Sequence, residues 1–511
     1  MSNPVQPWPV LPLGTLASEL CLGKMLDKQK NRGTLQPYLR NVNVRWFSFD
    51  SNDLKEMRFE EGEATRYGLQ PGDLVICEGG EPGRAAVWKG QSEHAKIQEA
   101  LHRVRFRSDE YDPSFAMYYL YFGTITHRFA PYYTGTTIKH LTGAALSQIF
   151  FPIPPLNEQR RIVQKIEELF SKLDAGVAAL ERVKAGLKRY RAAVLKAAVE
   201  GKLTAEWRAH HPAKETGAQL LGRILDERRR KWEQEQRAKY AKAGKQPPKG
   251  WQAKYKEPTG PDTSYLPALP EGWCWATLDV LLREPLRNGH SARASKDGRG
   301  VRTLTLTAVT VGDFSEKNTK LTTAQPDKVQ DLWLQGGDIL IERSNTPELV
   351  GTARMYKGPT NFAIFPDLLI RVRVSLAVVD RYVDVFLQSH FARAYFRQRA
   401  KGLAGSMPKI DQGTILQLPI PLPPSDEQRE LVDEVDRRLS VVDEIEAQIE
   451  TDLKRASRLR QSILKRAFEG RLVPQDPDDE PAEHLLQKIR QGREGESGHA
   501  ARRRKQKASA L

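Results

Sequence analysis

The sequence predicts an α+β protein built as a pseudo-twofold internal repeat, in which two mixed α/β domains are each followed by one long coiled-coil helix. Three observations predict this fold class: a gapless internal repeat, an apolar heptad pattern within it, and strand-like runs upstream of each copy. Of the 511 residues, 39% are hydrophobic and 28% are charged. Such a composition can build several cores and still leave much solvated helix.

The repeat pairs residues 152–203 with residues 421–472 at a constant offset of 269, and 19 of the 52 pairs are identical. Both copies begin with P-x-P-P, continue with E-Q-R and end with E-G-x-L. The identical pairs include Pro154/Pro423, Glu158/Glu427, Gln159/Gln428, Arg160/Arg429, Lys196/Lys465 and Gly201/Gly470. Low-complexity helices can align by chance, but a gapless match that includes these motifs indicates a duplicated unit.

Each copy is predicted to form one helix of about 44 residues, roughly 66 Å long at the α-helical rise. Asn157 and Asp426 are expected to be the N-caps, because their short side chains can accept hydrogen bonds from the first turn. Gly201 and Gly470 are expected to end the helices, because glycine adopts the left-handed conformation without steric cost.

Apolar residues follow an alternating 4-3 spacing from Ile162 to Ala197 in the first helix, and Arg438 and Asp452 interrupt the same pattern in the second. A sustained heptad stripe is typical of a coiled coil. Because an isolated helix would expose its stripe, we expect the two helices to pack on each other. Covering a helix of a partner protein is the alternative use of the same stripe.

The repeat extends upstream into the globular segments, where residues 69–76 match residues 334–341 at an offset of 265. Gly72-Asp73 and Gly337-Asp338 in these stretches are interpreted as turn residues rather than as ligands. The predicted organisation is a first domain at 1–151, a long helix at 152–203, a basic helical insert and linker at 204–264, a second domain at 265–420, a long helix at 421–472, and a tail with a short helix and a basic end at 473–511.

The formal net charge of +16 favours a polyanionic partner, either nucleic acid or an anionic membrane surface. Residues 204–260 alone carry 14 Lys and Arg against 7 Asp and Glu. Within this insert Arg228–Lys231 are followed by several aromatic residues. A solvated helix face and contact with phosphates are both consistent with that pattern.

The sequence lacks the motifs of common nucleotide, metal and methyl-transfer sites. It has no G-x-x-x-x-G-K-[ST] loop, no G-x-G-x-x-G after a strand, no N-P-P-Y-type tetrapeptide and no H-E-x-x-H. We therefore expect no catalytic residue, no metal site and no cofactor in this chain. Cys21, Cys77 and Cys274 are far apart, which excludes a disulfide framework and a cysteine-based zinc module. With no secretory leader and no apolar run of 18 residues, the expected location is the cytoplasm, away from membranes.

Polar side chains of the two globular domains are suited to DNA binding. Arg and Asn pair bidentately with guanine and adenine edges in the major groove, whereas Lys, His and Ser suit phosphate or base contact. For each residue taken singly, a solvated surface role is the alternative. The candidate DNA-binding residues are Arg40, Asn41, Asn43, Arg45, Lys139 and His140 in the first domain and Arg302, Arg343, Asn345, Arg354, Ser406 and Lys409 in the second, where Pro408 and Lys409 correspond to Lys139 and His140.

The order of these segments closely resembles the specificity subunit of type I restriction-modification systems. P-I-P-P-L-N-E-Q-R opens one helix, P-L-P-P-S-D-E-Q-R opens the other, and E-G-R-L-V-P-Q-D-P follows the second. The resemblance covers nearly the whole chain. The sequence departs from the family pattern at the basic insert and at the polar positions Arg438 and Asp452. It implies two target-recognition domains, each reading one half of a bipartite double-stranded DNA sequence, held apart by an antiparallel coiled coil.

The resemblance also implies a subunit without catalysis of its own. Two methylation subunits would bind along the helices and transfer methyl groups from S-adenosylmethionine to adenine N6. Restriction subunits would add ATP- and magnesium-dependent translocation and cleavage. The alternatives are a non-catalytic assembly protein that displays two binding modules on a coiled-coil stalk, a stand-alone nuclease or methyltransferase with a cryptic site, and a specificity subunit that is inactive.

A helix pair that separates two reading modules would act as a ruler, because half-site spacing follows from the distance between the modules. Inserting a few residues at matched points of both helices is then expected to lengthen the non-specific spacer of the target; an unchanged spacer would contradict the ruler. Arg40→Ala is expected to change recognition of only the first half-site, and Arg302→Ala of only the second. Sequencing of methylated sites measures all three variants.

Overall fold

The computed structural model describes residues 8–25, 32–92, 94–107, 109–402 and 407–492. The chain divides into two compact units, which we call unit 1 (Met1–Glu181 with Glu450–Leu511) and unit 2 (Arg182–Ile449). The first long helix, Leu156–Val199, and the second, Ser425–Phe468, each contribute to both units. The globular part of each unit therefore lies beside stretches of both long helices.

Unit 1 contains short strands that are interrupted by short helices. Its strands are Val10–Pro12, Glu19–Leu22, Thr34–Leu39, Val44–Arg45, Ser48–Phe49, Lys55–Phe59, Leu74–Cys77, Ala85–Val87, Lys96–Ile97, Leu101–Arg105 and Phe150–Pro152. Its shorter helices are Leu13–Leu16, Asn41–Asn43, Glu61–Tyr67, Pro113–Ile125, Ala130–Tyr132 and Gly143–Gln148. Asp112 caps the largest of these, accepting hydrogen bonds from the backbone of Ser114 and Phe115 ahead of a first-turn proline.

Unit 2 is built in the same manner. Its strands are Cys274–Thr277, Arg287–Asn288, Val301–Leu304, Thr319–Thr322, Ile339–Glu342, Ala353–Met355, Leu369–Val372 and Pro419–Leu422. Its shorter helices are Ala205–His210, Gly217–Lys242, Trp251–Lys254, Leu278–Leu281, Leu306–Val311, Glu316–Asn318, Pro326–Lys328, Gln330–Leu332, Asp380–Gln388, His390–Arg399 and Gln412–Leu416.

The two units share a four-stranded antiparallel sheet with one strand order. In unit 1 the order is Glu19–Leu22, Leu101–Arg105, Leu74–Cys77, Ala85–Val87. In unit 2 it is Arg287–Asn288, Leu369–Val372, Ile339–Glu342, Ala353–Met355. A two-stranded ladder precedes each long helix, with Val10 opposite Pro152 in unit 1 and Trp275 opposite Pro421 in unit 2. The sequence repeat is thus a structural repeat, as predicted.

The units differ in the smaller sheets. Unit 1 adds a three-stranded sheet in the order Lys55–Phe59, Thr34–Leu39, Lys96–Ile97 and the short pair Val44–Arg45 with Ser48–Phe49. Unit 2 instead adds the pair Val301–Leu304 with Thr319–Thr322. These additions lie where the sequence match is weakest, so the shared frame is the four-stranded sheet, the ladder and the long helices.

The long helices pack together in an antiparallel manner. In unit 1 the early residues Ile162 and Ile166 of the first helix share a core with the late residues Ile463 and Leu464 of the second. In unit 2 the late residues of the first helix, Val194, Leu195 and Ala198, share a core with the early residues Leu431, Val435 and Leu439 of the second. This pairing within the chain is the arrangement that the heptad pattern predicted.

The ends of the helices agree with the prediction at one terminus only. Gly201 and Gly470 have φ of 65° and 69°, the left-handed conformation expected after a helix. The predicted N-caps are wrong, because the helices begin at Leu156 and Ser425 and so include Asn157 and Asp426. The first helical hydrogen bonds run from the Gln159 N–H to Pro155 O and from the Gln428 N–H to Pro424 O, both at 2.9 Å, so a proline precedes each helix.

The middle of the predicted apolar stripe is only partly buried. Val183 and Tyr190 of the first helix, and Ile445 of the second, are 47%, 45% and 39% exposed. Val442 and Ile449 of the second helix are buried although they lie outside the cores of the two globular domains. The apolar stripe therefore includes residues that the packing of the two helices leaves exposed.

A buried tryptophan–glutamate contact marks the first turn of each long helix. Trp8 Nε1 donates to Glu158 Oε2 at 3.2 Å, and Trp273 Nε1 donates to Glu427 Oε2 at 2.8 Å. Both glutamates are almost inaccessible to solvent. The two pairs stand at equivalent places of the repeat, so the E-Q-R motif fixes the start of each helix against its domain.

The repeat also includes the segments that follow the long helices. Leu220 and Ile224 of the helix Gly217–Lys242 lie in the unit 2 core, and Leu485 and Ile489 of the helical residues 482–492 lie in the unit 1 core. The L-L-x-x-I pattern recurs at an offset of 265. Part of the predicted insert is therefore the counterpart of the tail.

Candidate nucleic-acid interface

A buried ion pair fixes the central strands of each sheet. The Arg105 guanidinium makes two contacts with the Asp73 carboxylate, at 2.6 and 2.8 Å. Arg373 and Asp338 make the same pair in unit 2, at 2.5 and 2.9 Å. Asp73 and Asp338 are at most 1% exposed. These two-pronged pairs hold equivalent strands in register, and the adjacent arginine pKa values are raised because the carboxylate stabilises the charged form.

The same two carboxylates close the turns ahead of the central strands. Asp73 accepts a hydrogen bond from the backbone N–H of Gln70 at 2.7 Å, and Asp338 accepts one from Gln335 at 2.9 Å. Gly72 and the equivalent glycine of unit 2 both have φ near 90°. The Gly-Asp pairs are turn residues, as the sequence indicated.

A loop leaves the end of each central strand and pairs with a later hairpin. Gly79 forms a bridge with His140 in unit 1, and Ser344 forms a bridge with Lys409 in unit 2. These are repeat-equivalent positions, so the sequence-based pairing of His140 with Lys409 holds in the structure. Each bridge lies two residues after the end of the equivalent strand, Leu74–Cys77 in unit 1 and Ile339–Glu342 in unit 2.

Each hairpin is closed by two backbone hydrogen bonds. Thr134 and His140 exchange N–H···O bonds of 2.8 and 2.9 Å, and Lys401 and Lys409 exchange two of 2.9 Å. The residues after the first partner, Gly135 and Gly402, both have φ of 89°. We call residues 134–140 tip hairpin 1 and residues 401–409, whose members 403–406 are outside the described residues, tip hairpin 2.

We call tip hairpin 1 with the loop 78–84 edge 1, and tip hairpin 2 with the loop 343–352 edge 2. Buried His102 supports edge 1, because its Nε2 bonds the carbonyl of Leu141 at 2.8 Å while the Leu141 N–H donates to Glu78 O at 2.7 Å. Burial lowers the pKa of His102, which favours the neutral ring. In unit 2 the equivalent backbone bond runs from Ile410 N–H to Arg343 O at 2.9 Å.

The predicted residues of unit 1 have different roles. Asn41 lies against edge 1, where its amide donates to Gly79 O and its Oδ1 accepts from Arg84 at 2.6 Å. Asn43 is buried and donates to the carbonyls of Asp50 and Asp53 at 3.0 and 3.2 Å. Asn43 therefore holds its own turn, and Asn41 orients the loop of edge 1.

The two predicted arginines of unit 1 lie beside these asparagines in the chain. Arg40 pairs with Asp53 at 2.7 Å, and this contact lowers the pKa of the Asp53 carboxyl, with Lys55 adding to the effect. Arg45 is exposed on the short strand pair. Lys139 is exposed and His140 is half-exposed on tip hairpin 1, with His140 Nδ1 3.5 Å from Glu78.

Edge 2 brings together three of the residues predicted for unit 2. Arg343 starts the loop and is half-buried. Asn345 donates to Glu342 Oε2 at 2.6 Å and accepts from the Thr346 N–H at 2.8 Å. Lys409 is exposed on tip hairpin 2. Ser406 lies outside the described residues.

Arg302 and Arg354 lie apart from edge 2. Arg302 pairs with Glu316 at 2.9 Å and stacks over the Phe362 ring at 4.9 Å. Arg354 lines a polar cleft with Arg191 and Arg381, beside the second long helix. Burial lowers the pKa of Arg354. The similarity in residue type did not predict this separation.

Two residues of the edges were not among the sequence-based candidates. Ile138 and Met407 are 60% and 51% exposed on the two tip hairpins. They are equivalent under the offset of 269. They could have been found in the sequence as large apolar residues two positions before His140 and Lys409.

The chain is similar to known proteins over most of its length. The family model described as "Type I restriction modification DNA specificity domain" matches residues 27–183. The EcoKI specificity subunit of Escherichia coli (strain K12) is 26% identical over 519 residues, covering 98% of each chain. The StySPI specificity subunit of Salmonella potsdam is 27% identical, again covering 98% of each chain.

Over nearly its whole length the chain is similar to the specificity subunits of type I restriction-modification systems. A solved structure described under complex assembly and conformational transition of the type I R-M system has the same fold, with a TM-score of 0.62 at 18% identity, covering 91% of this chain and 98% of that one. Residues 27–183 match the DNA specificity domain of these systems. Within the described residues, no helix is long and apolar enough to cross a membrane, and no cluster of His, Cys, Asp and Glu could hold a metal ion.

Proposed function

We propose that the two globular domains of this specificity subunit read the two halves of one bipartite double-stranded DNA target, the first through edge 1 and the second through edge 2. The observation that carries the proposal is the duplicated edge: the same sheet, equivalent bridges and a hairpin at the same place in the chain present different side chains in the two units. A shared frame with different exposed groups suits two readers of different sequences.

The chemistry of the edges supports DNA as the ligand. Edge 1 presents Lys139 and His140, and edge 2 presents Arg343, Lys401 and Lys409. The major groove admits a two-stranded β-ribbon, and cationic side chains at its margin contact phosphates while arginine can pair with guanine. The tip hairpins have this shape and this charge.

The proposed domain organisation follows the predicted boundaries: a first target-recognition domain at 1–151, a long helix at 152–203, a basic helical insert and linker at 204–264, a second target-recognition domain at 265–420, a long helix at 421–472 and a tail at 473–511. Among the predicted residues, we propose Lys139, His140, Arg343 and Lys409 as direct DNA contacts. Asn41 and Asn345 position the loops through the hydrogen bonds described above.

The long helices are the proposed binding sites of two methylation subunits. Tyr190 and Leu459 stand at equivalent repeat positions, one in each unit, and are 45% and 49% exposed. Repeated exposed apolar positions suit two copies of one partner. S-adenosylmethionine, ATP and magnesium belong to the methylation and restriction subunits, and the assembly works in the cytoplasm.

Salt-dependent binding by the complex of this chain with its methylation subunits tests the proposal. The target is first read from the N6-methyladenine map of the host DNA, and duplexes with one scrambled half-site serve as competitors. We expect each scrambled half to weaken binding at least about 100-fold and the specific affinity to fall steeply as salt rises. Equal binding to intact and scrambled duplexes would favour the assembly-protein alternative.

A further inference from the structure

Each tip hairpin exposes one large apolar side chain at the same place. Ile138 is 60% exposed and Met407 is 51% exposed. The neighbouring positions have changed between the copies, with Lys139 and His140 replaced by Pro408 and Lys409. A single exposed apolar residue is ordinary on a protein surface. Its retention at one position in two copies that differ around it calls for a ligand.

The hairpin geometry holds these residues outward. In tip hairpin 1 a Cβ on Gly135 would collide with the carbonyl oxygen of Ile138, so only glycine permits this close turn. Gly402 repeats the φ of 89° in tip hairpin 2. Ile138 and Met407 each lie two residues before the end of their hairpin, and neither belongs to the core of its unit.

The surroundings of Ile138 and Met407 are polar and cationic. Thr136, Thr137 and Lys139 are exposed around Ile138, and Lys401 and Lys409 are exposed near Met407. An apolar partner protein would be expected to meet a wider apolar patch than one side chain. The apolar point that the described residues of tip hairpin 1 form among hydroxyls and a lysine instead matches a DNA groove, where phosphates line the rim and base edges and thymine methyl groups form the floor.

We propose that Ile138 and Met407 make the apolar base contacts of the two half-sites, each against a base of the half-site read by its own unit. This inference rests on the proposed function and deepens it. In this binding mode the cationic residues of the hairpins bind phosphates, and Ile138 and Met407 add the preference for particular bases. The two contacts are independent because they belong to different units.

Paired substitutions test the contact in the complex of the full chain with its methylation subunits. Ile138→Ala and Met407→Ala remove the apolar tips, and Ile138→Val and Met407→Leu are the conservative variants. Leu35→Ala in unit 1 and Leu376→Ala in unit 2 are matched controls, because these residues are 51% and 85% exposed and lie off the hairpins. Binding is measured against a panel of duplexes in which each base pair of the target is changed in turn.

We expect Ile138→Ala to weaken target binding about tenfold and to flatten the preference at one or two adjacent base pairs of one half-site only. Met407→Ala is expected to do the same in the other half-site. The conservative variants and the controls should keep the wild-type profile, and thermal unfolding should be unchanged because the tips are exposed.

Three results would overturn the inference: wild-type base preference in both alanine variants, an equal loss in both half-sites from either variant, or a loss of subunit assembly in place of DNA preference. The last result would assign the tips to a protein partner. Failure of the proposed function is distinguishable, because the unsubstituted complex would then bind scrambled and intact duplexes alike.

Discussion

Glu158 of unit 1 and Glu427 of unit 2 occupy equivalent positions and have different surroundings. Glu427 accepts hydrogen bonds from Trp273 at 2.8 Å, from Thr204 at 2.6 Å and from Arg208 at 2.9 Å. Glu158 keeps the tryptophan contact, at 3.2 Å. Its neighbour in the helix, Arg161, is instead bound to Asp479 at 2.6 Å.

The difference comes from the segments that follow the long helices. After the first helix the chain supplies Thr204, which donates a hydrogen bond to Glu427, and Arg208, which forms an ion pair with it. After the second helix it supplies Asp479, which takes the cation nearest to Glu158 and adds a negative charge. Burial, reinforced by Asp479, raises the pKa of Glu158 to about 7. The duplication has therefore kept the hydrogen-bonded frame while the electrostatics of the two units have diverged.

The largest effect is expected where the two units are the same. Asp338→Ala removes the two-pronged partner of Arg373 and leaves the contact with Glu284 at 3.3 Å, so we expect a cost of about 3 kcal/mol, the lower end for a broken buried pair. Asp73→Ala should cost a similar amount in unit 1. Hydrogen exchange of the strands Ile339–Glu342 and Leu74–Cys77 measures each loss locally. If one substitution accelerated exchange in both units, the claim that each ion pair stabilises only its own unit would be wrong.

A pH-dependent effect is expected at Glu158. Between about pH 4.5 and 7 the native state holds a proton that the unfolded chain has released, so acidification across this window raises the free energy of unfolding and rising pH lowers it. Glu158→Gln should remove up to about 3 kcal/mol of this pH dependence. Comparing denaturant unfolding of both proteins at pH 5 and pH 8 checks the sign. Parallel pH profiles would show that Glu158 is not the group involved.

A smaller effect is expected at Glu427. Glu427→Gln keeps an acceptor for Trp273 and weakens the charged bond to Arg208, a cost of about 1–2 kcal/mol. Hydrogen exchange at the start of the second long helix measures it, with Arg429→Gln as the control because that exposed side chain pairs only locally with Asp426. A cost no greater than that of the control would remove the proposed distinction between the two glutamates.

The frame could be predicted from the sequence because it is duplicated. The offset of 269 located both long helices, and the left-handed glycines were found at their ends. The same comparison at an offset of 265 relates Trp8 to Trp273, which would have found the partner of the E-Q-R glutamate. Which residues of the apolar stripe are buried could not be predicted, because heptad spacing does not show whether a given turn of the helix faces a domain or solvent.

The candidate site could be predicted only in part. Residue type favours Arg and Asn equally wherever they occur, but Asn43 is used by its own turn and Arg354 by a cleft beside the second long helix. Lys139, His140, Arg343 and Lys409 meet at the edges because strand pairing brings distant segments together. Ile138 and Met407 were not predicted, because an apolar residue is assigned to the core unless the structure shows that it is exposed.

The central claim is that each unit reads one half-site, and mapping of N6-methyladenine tests it most directly. Cells expressing the chain with its methylation subunits are compared for the unsubstituted protein, the edge 1 variant Lys139→Ala/His140→Ala and the edge 2 variant Arg343→Ala/Lys409→Ala. The account predicts that the first variant relaxes one half of the methylated sequence, the second relaxes the other half, and the spacer stays constant in both. Relaxation of both halves by one variant, or an unchanged motif in both, would contradict it.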